Sequence, residues 1–394
     1  MKILYHHRTQ AKCAEGIHIR GITEAFRELG HQVDILSPPG VQVSTAEISD
    51  QVLGENGRTT KGMLSRIADT LPESAFEVLE LLYNLYSFLS LYKILSRRTY
   101  DLIYERYSLF GISSLILSKV YKVPLILEVN DATVIQRSRP LSLKNIARFF
   151  EKRVLRNADV IITISNHLKK LLLSHGGICP EKVMVLPNAI DPKRFENGRR
   201  EIDIRKVLTI DNRYIIGVVG AFVPWHGLAF LLESLQTVCR EYDIHLLLVG
   251  DGPVRKEIET LATKLDLAKH VTMTGFVNSH LIPNFIAGMD ICLMPNSNPH
   301  GSPIKIVEYM AMGKPVVAPK YQPIEEIIEN GITGILFPPL NSREFKQSIV
   351  ALLLDQALRE RLGQNARQKV MAEFKWIDNV TKVLDRLSTL QHGS

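Results

Sequence analysis

The 394-residue chain alternates short apolar runs with longer stretches in which apolar residues recur every three or four positions. Short apolar runs bounded by Gly, Pro, Asn or Asp read as buried strands, and the periodic stretches read as amphipathic helices. In the first half the pattern predicts strands at 2–6, 32–37, 102–105, 125–129, 160–165 and 182–187, with helices at 19–29, 108–121 and 166–174. A second series follows residue 213, with strands at 215–220, 244–250, 271–275, 291–295 and 315–318 and a last helix from 376 towards 390. Strands alternating with helices build parallel sheets covered on both faces, the α/β class. A chain this long exceeds one ordinary core. The polar segment after Pro187 is the expected linker, giving domains 1–195 (joined by the terminal helix 376–394) and 208–375.

The stretch 72–97 breaks this rhythm. It predicts one long helix carrying Tyr83, Tyr86, Phe88 and Tyr92 among leucines, interrupted by Glu77, Glu80, Asn84 and Lys93. Those polar residues argue against a membrane span, and no run reaches the roughly 18–20 uninterrupted apolar residues a span needs. Two readings stand: an apolar docking surface, or an ordinary core helix, the second favoured because aromatic residues at helical spacing usually pack. The opening residues Met1–Tyr5 meet polar residues at once, which suits a first strand rather than a signal peptide. Cys13, Cys179, Cys239 and Cys292 show no metal or disulfide spacing, which suits a reducing cytoplasm. A net charge of +7 favours anionic partners. With basic residues scattered and no nucleic-acid motif, phosphorylated substrates and an anionic membrane surface rank above DNA or RNA. A merely solubilising basic surface ranks beside them.

Chemistry concentrates where strands end in glycine. Gly220, Gly250-Asp251-Gly252-Pro253 and Gly275-Phe276 each follow a predicted strand. One such glycine only satisfies a turn; three in order at one sheet edge indicate a pocket. The segment 295–315 is the most specific. Its strand ends near Pro295, a small-residue loop runs through Gly301 and Ser302, and a helix starts near Pro303. Exposed N–H groups and the dipole at a helix start form a phosphate site. Lys305 sits in the first turn, where the dipole disfavours a cation, so an anion is expected there. Glu308, one turn on, is placed to accept from a ribose diol. Surface positions for both side chains are the alternative.

These segments resemble, in order, the retaining glycosyltransferases of family 4. The matching residues are Glu15-Gly16-Ile17-His18 (read as a loop), 159–165, Leu186-Pro187-Asn188-Ala189-Ile190-Asp191, Val249-Gly250-Asp251-Gly252-Pro253, Thr274-Gly275-Phe276, Glu308-Tyr309-Met310-Ala311 and 313–318. The resemblance implies the GT-B fold, two facing Rossmann-like domains with an interdomain cleft. It implies transfer of a sugar from a UDP- or GDP-linked donor to a glycan or lipid-linked acceptor, with anomeric configuration retained and no obligatory metal or other cofactor. Cysteine usage and the basic charge, beside the resemblance, give an expected place in the cytoplasm, with peripheral contact at the inner membrane face as one option. Donor binding falls to Gly16, Gly220, His226, Gly252, Phe276, Gly301, Ser302, Pro303, Ile304, Lys305 and Glu308, and catalysis to Asn130 and His300.

Three positions depart from the family pattern. The first of its two glutamates, eight before Glu308, is His300. The Arg and Lys that the family sets on the donor diphosphate are Ala221 and His226, so Lys305 is expected to supply the missing charge. The family's histidine after the fourth strand is Asn130, in Glu128-Val129-Asn130-Asp131. Glu128 and Asp131 are the nearest carboxylates, and neither is assigned as a nucleophile. A dinucleotide oxidoreductase lacks its G-x-G-x-x-G turn here, and a P-loop NTPase lacks its motif. A sugar-nucleotide epimerase of the same fold and a non-catalytic donor-binding protein remain as alternatives.

Overall fold

The computed structural model describes residues 1–11, 13–41, 73–135, 141–174, 177–196, 202–210 and 214–392. By their contacts these fall into two compact units, one running to Pro187 and taking the helix residues from Val380 on, the other from Asn188 to Asn379.

The first unit contains β1 (Lys2–His6), α1 (Cys13–Glu28), β2 (Gln32–Leu36), α2 (Glu73–Leu95), β3 (Leu102–Arg106), α3 (Ser113–Tyr121), β4 (Leu125–Val129), α4 (Lys144–Asn157), β5 (Val160–Thr163), α5 (Asn166–Ser174) and β6 (Val183–Val185). Its six strands pair in parallel in the order β2-β1-β3-β4-β5-β6. All five residues of β4 are buried, as expected of a strand with helices on both faces.

The second unit contains α6 (Ile204–Val207), β7 (Tyr214–Val219), α7 (Leu228–Glu241), β8 (Ile244–Val249), α8 (Arg255–Lys264), β9 (Val271–Met273), α9 (Ile282–Gly288), β10 (Ile291–Leu293), α10 (Ile304–Ala311), β11 (Val316–Pro319), α11 (Gln322–Glu325), β12 (Ile335–Phe337), α12 (Ser342–Leu354), α13 (Gln356–Glu373) and the start of α14 (Trp376–His392). Its parallel sheet runs β12-β11-β10-β7-β8-β9. Side chains alternate across a strand, and the core follows. Ile215 and Val219 join one apolar cluster with Met310 and Phe285, while Ile216 and Val218 join another with Leu231 and Phe345. Helix α10 therefore covers one face, and α7 and α12 cover the other. From β7 the chain moves to β8 on one side and later returns to β10 on the other. That reversal is where an open α/β sheet leaves a crevice beyond its strand ends.

Several expectations shift. Residues 15–18 lie inside α1 rather than in a loop. The absent side chain of Gly16 makes room for the Ala11 carbonyl, which would lie 2.2 Å from a Cβ there. The helix expected over 108–121 begins only at Ser113, and the Gly250–Pro253 turn leads into α8, which begins at Arg255. Strand β12 was not foreseen; three residues between a Gly-containing turn and Pro338 are too short to show a period. The units divide at Pro187, upstream of 195, because residues 188–195 bond to the second unit. Ile190 N–H donates to the Phe374 carbonyl at 2.9 Å, and Asn188 Nδ2 donates to the Ser302 carbonyl at 2.5 Å.

Helix α2 is long and apolar enough by length and composition to cross a membrane, which interrupting polar residues were expected to prevent. One face is nonetheless a core face: Glu77, Ser87, Leu91 and Leu95 are buried.

Candidate functional site

In the second unit the sheet reverses between β7 and β10, and the expected site residues gather at those strand ends. Gly220 follows β7 with φ +134°, a conformation that a side chain rarely adopts. A Cβ there would come within 2.9 Å of Lys305 Nζ. The lysine therefore reaches from the first turn of α10 across the end of β7, and it is half-buried rather than a surface charge. Helix α10 is itself anchored to β7, since Val219 N–H donates to Tyr309 Oη at 2.6 Å.

The start of α10 is open. Pro303 occupies the N-cap and no side chain caps the helix. The N–H groups of Ile304 and Lys305 have no partner among the described residues, as the first turn of a helix leaves them. Beside them, Ser302 Oγ and Asn188 Oδ1 are buried and have no partner among the described residues. Buried polar atoms are normally satisfied, so two orphans at one helix start mark a place for ligand atoms. A Cβ on Gly301 would meet nothing nearer than 4.0 Å, so the fold leaves space there.

The charges around this helix start are held weakly. Burial lowers Lys305 to about 8, with Glu308 acting the other way. Burial raises Glu308, against the pull of Arg194 and Lys305; its side chain is buried, not solvated. Burial and the neighbouring Lys305 ammonium bring His226 down to about 3. His226 is therefore neutral near pH 7 and does not replace the family's cation at that position. Its Nδ1 lies 2.6 Å from the Ala221 carbonyl, which can only accept, so Nδ1 carries the proton. Lys305 Nζ stands 3.4 Å from Nε2 and 3.5 Å from Nδ1, against the ring rather than in line with the Nε2 lone pair. The imidazole positions the lysine.

Other predicted residues acquire fold roles. A Cβ on Gly252 would meet the Phe222 carbonyl at 2.3 Å, and one on Gly250 the Gly220 carbonyl at 2.1 Å. Both glycines let the loops after β7 and β8 pack backbone to backbone. Phe276, after β9, is an exposed ring at 46%. His300 lies in the turn before Gly301. Lys314, from the family-like segment, is structural: its Nζ donates to the Ala287 and Met289 carbonyls at 2.8 and 2.6 Å. Two residues were missed. Arg194, bonded through Nη2 to the Ser279 carbonyl at 2.7 Å, acts electrostatically on Glu308. Asn188, quoted as motif only, holds the Ser302 carbonyl.

Asn130 lies in the first unit, beyond β4. Its Nδ2 donates to Glu128 Oε1 at 2.5 Å. Glu128 also receives Arg106 Nη1 at 2.6 Å and Tyr104 Oη at 3.0 Å, and His18 Nδ1 lies 3.4 Å away. Burial opposes ionisation of Glu128, but His18, Arg106, Asn130 and Tyr104 outweigh it and keep the carboxyl below its ordinary value. His18 is itself lowered to about 4 by burial. Glu128, almost fully buried, has both carboxylate oxygens engaged by these partners. Among the described residues, no group of three His, Cys, Asp or Glu could hold a metal ion.

Residues 16–194 match the family model for glycosyltransferase family 4, and residues 199–369 match that for glycosyl transferases group 1. The chain is 27% identical over 267 residues to an alpha-D-kanosaminyltransferase of Streptomyces kanamyceticus, covering 66% of this chain and 69% of that protein. It is 23% identical over 313 residues to a UDP-Gal:alpha-D-GlcNAc-diphosphoundecaprenol alpha-1,3-galactosyltransferase of Escherichia coli, covering 78% and 80%. Among solved structures, sucrose-phosphate synthase of Thermosynechococcus elongatus superposes with a TM-score of 0.78 at 21% identity over the whole of both chains. HepE of Anabaena, crystallised with UDP, gives 0.71 at 20% identity over 99% and 100%. At these identities the structural likeness speaks for the fold. With both halves matched in order and the fold shared from end to end, the chain belongs to the family 4, group 1 glycosyltransferases and is a transferase of the GT-B fold.

Proposed function

We propose that the protein transfers a sugar from a UDP- or GDP-linked donor to a glycan or lipid-linked acceptor with retention of anomeric configuration. The observation that carries this reading is the Lys305 ammonium held over Gly220 beside the open start of α10. A diphosphate seated there would accept from the Ile304 and Lys305 amides and pair with Lys305. The orphaned Ser302 Oγ and Asn188 Oδ1 would meet the remaining donor atoms. Glu308 would accept from the ribose diol, Phe276 would offer a face to the base, and His300 would lie at the sugar end. HepE was crystallised with UDP, and the E. coli relative uses UDP-Gal, which favours a donor of this class.

As the bond from the anomeric carbon to the phosphate oxygen breaks, positive charge grows on the sugar and negative charge on the departing diphosphate. Preorganised amides and an ammonium aimed at that anion stabilise the transition state more than the ground state. The acceptor hydroxyl oxygen then bonds to the anomeric carbon on the face the phosphate leaves, and its proton passes to the departing diphosphate oxygen. The phosphate charge is met by protein groups, so transfer is expected to persist in a chelator.

A panel of UDP- and GDP-sugars, followed by nucleotide release with and without acceptor glycans, tests the reading. The anomeric coupling constant of the product decides its stereochemistry. An inverted product would sink the retention proposal, and failure of every nucleotide to bind would sink the donor site.

A further inference from the structure

We infer that the exposed face of α2, with the cationic helix ends beside it, is a docking surface for an anionic lipid bilayer. This inference stands independently of the donor site. From Val78 to Tyr92 every exposed residue of the helix is Val, Leu or Tyr: Val78, Leu79, Leu82, Leu85, Tyr86, Leu89 and Tyr92. The steps from 78 through 82, 85 and 89 to 92 trace one stripe along the helix. At 1.5 Å per residue that stripe is about 21 Å long. Leu82, Leu85 and Leu89 are 61%, 65% and 57% exposed, far from the core packing expected of such a helix.

The carboxylates described on α2 are turned away from this face. Glu77 is buried and accepts from the Ser142 and Leu143 amides at 2.6 Å each. Glu80 is bound to Arg8 at 2.6 Å. The cations stand at the two ends. Because Glu77 bonds to the chain at Ser142 and Leu143, the start of α4 lies beside the first turns of α2. There Lys144, Arg148, Ile146 and Phe149 are exposed, Phe149 at 66%, while Glu151 of the same helix is buried. At the far end Lys93 and Arg97 are exposed, while the exposed Arg98 is paired with Asp34 at 3.3 Å. The Tyr92 ring meets Tyr121 at 6.4 Å, which brings the exposed Val120 and Lys122 alongside, with Lys119 nearby but paired with Asp159 at 3.2 Å. An apolar stripe with cations at its borders is the pattern of a helix lying in a bilayer interface.

Alternative placements fit less well. A spanning helix would have to leave its neighbours, yet mid-helix Asn84 donates to the Phe110 carbonyl at 2.8 Å and its own carbonyl accepts from Ser113 at 2.9 Å. A second copy of the chain fits poorly too. Antiparallel pairing of two α2 faces would set Lys93 and Arg97 of one copy against Lys144 and Arg148 of the other, and parallel pairing would oppose like ends.

Co-sedimentation of the full chain with vesicles tests this, comparing phosphatidylcholine alone with phosphatidylcholine carrying phosphatidylglycerol. Binding should favour the anionic vesicles by at least about tenfold and fall as salt rises. L82E/L85E/L89E should abolish binding, with the thermal unfolding of the full chain unchanged as the check on folding. K144E/R148E, which leaves the apolar stripe intact, should weaken binding to the anionic vesicles by about tenfold. In an L85W variant, tryptophan emission should shift to the blue on adding those vesicles. Equal binding to both vesicle types, binding to neither, or a dimer in sedimentation velocity that L82E/L85E/L89E dissolves would each overturn the proposal.

Discussion

The two sheets carry polar clusters at corresponding strand ends, and the clusters are in opposite electrostatic states. In the first unit Glu128 is held ionised by Arg106, Tyr104 and Asn130, so the protein itself meets that charge, although the buried Tyr5 Oη beside it has no partner among the described residues. In the second unit the shifts run towards neutrality: Lys305 falls to about 8, Glu308 rises, and His226 is neutral. There the helix amides and two buried side-chain oxygens lack partners among the described residues. A cluster whose charge is met stabilises the fold; an unsaturated one keeps interaction free energy for a ligand. The same kinds of side chain serve either end, and what separates them is whether the protein supplies its own counter-groups.

Substitutions should separate the two. Glu128→Gln leaves Arg106 buried without its anion and should cost about 3–5 kcal/mol of stability, read by denaturant unfolding, without a matching loss of UDP affinity. Lys305→Ala should act the other way. Loss of a charge-assisted contact worth about 1.5–3 kcal/mol weakens UDP binding about 10–100-fold by calorimetry, with stability of the free protein kept. Glu308→Gln removes a buried charge whose pKa is raised. It should weaken nucleotide binding and raise the stability of the free protein by about 1 kcal/mol, or about 2–4 °C in melting temperature. The remaining effect concerns pH. Lys305 binds a proton less readily when folded than when unfolded, so between about pH 8 and the ordinary lysine value the unfolded chain holds more protons and stability rises with pH. Lys305→Met should flatten that rise, measured by unfolding at a series of pH values.

Much of the fold was legible in the sequence because parallel strands covered on both faces leave unbroken apolar runs, as in 125–129 and 244–249. The start of α10 was legible too, from Pro303 after a small-residue loop. What escaped depended on tertiary neighbours. Residues 15–18 contain a glycine and read as a loop, but that glycine sits in a helix to admit the Ala11 carbonyl. Glycines 250 and 252 read as ligand approaches, yet loop packing alone requires them. The neutrality of His226 follows from Lys305, a neighbour far off in sequence, and the part played by Arg194 follows from a turn that looked like linker. In α2 apolar residues occur nearly all round, so no periodicity could say which face the protein leaves bare.

The central claim is that Lys305, only loosely protonated in the free protein, is the charge that meets the donor phosphate. Calorimetry of UDP binding at pH 8 in buffers of different ionisation enthalpy tests it directly, since UDP itself takes up no proton there. The lysine should take up about half a proton on binding, and affinity should fall towards tenfold per pH unit above that pH. Arg in its place, charged throughout, should abolish both effects. Binding with no proton uptake and with the same affinity from pH 7 to 9.5 in the unsubstituted protein would contradict the account.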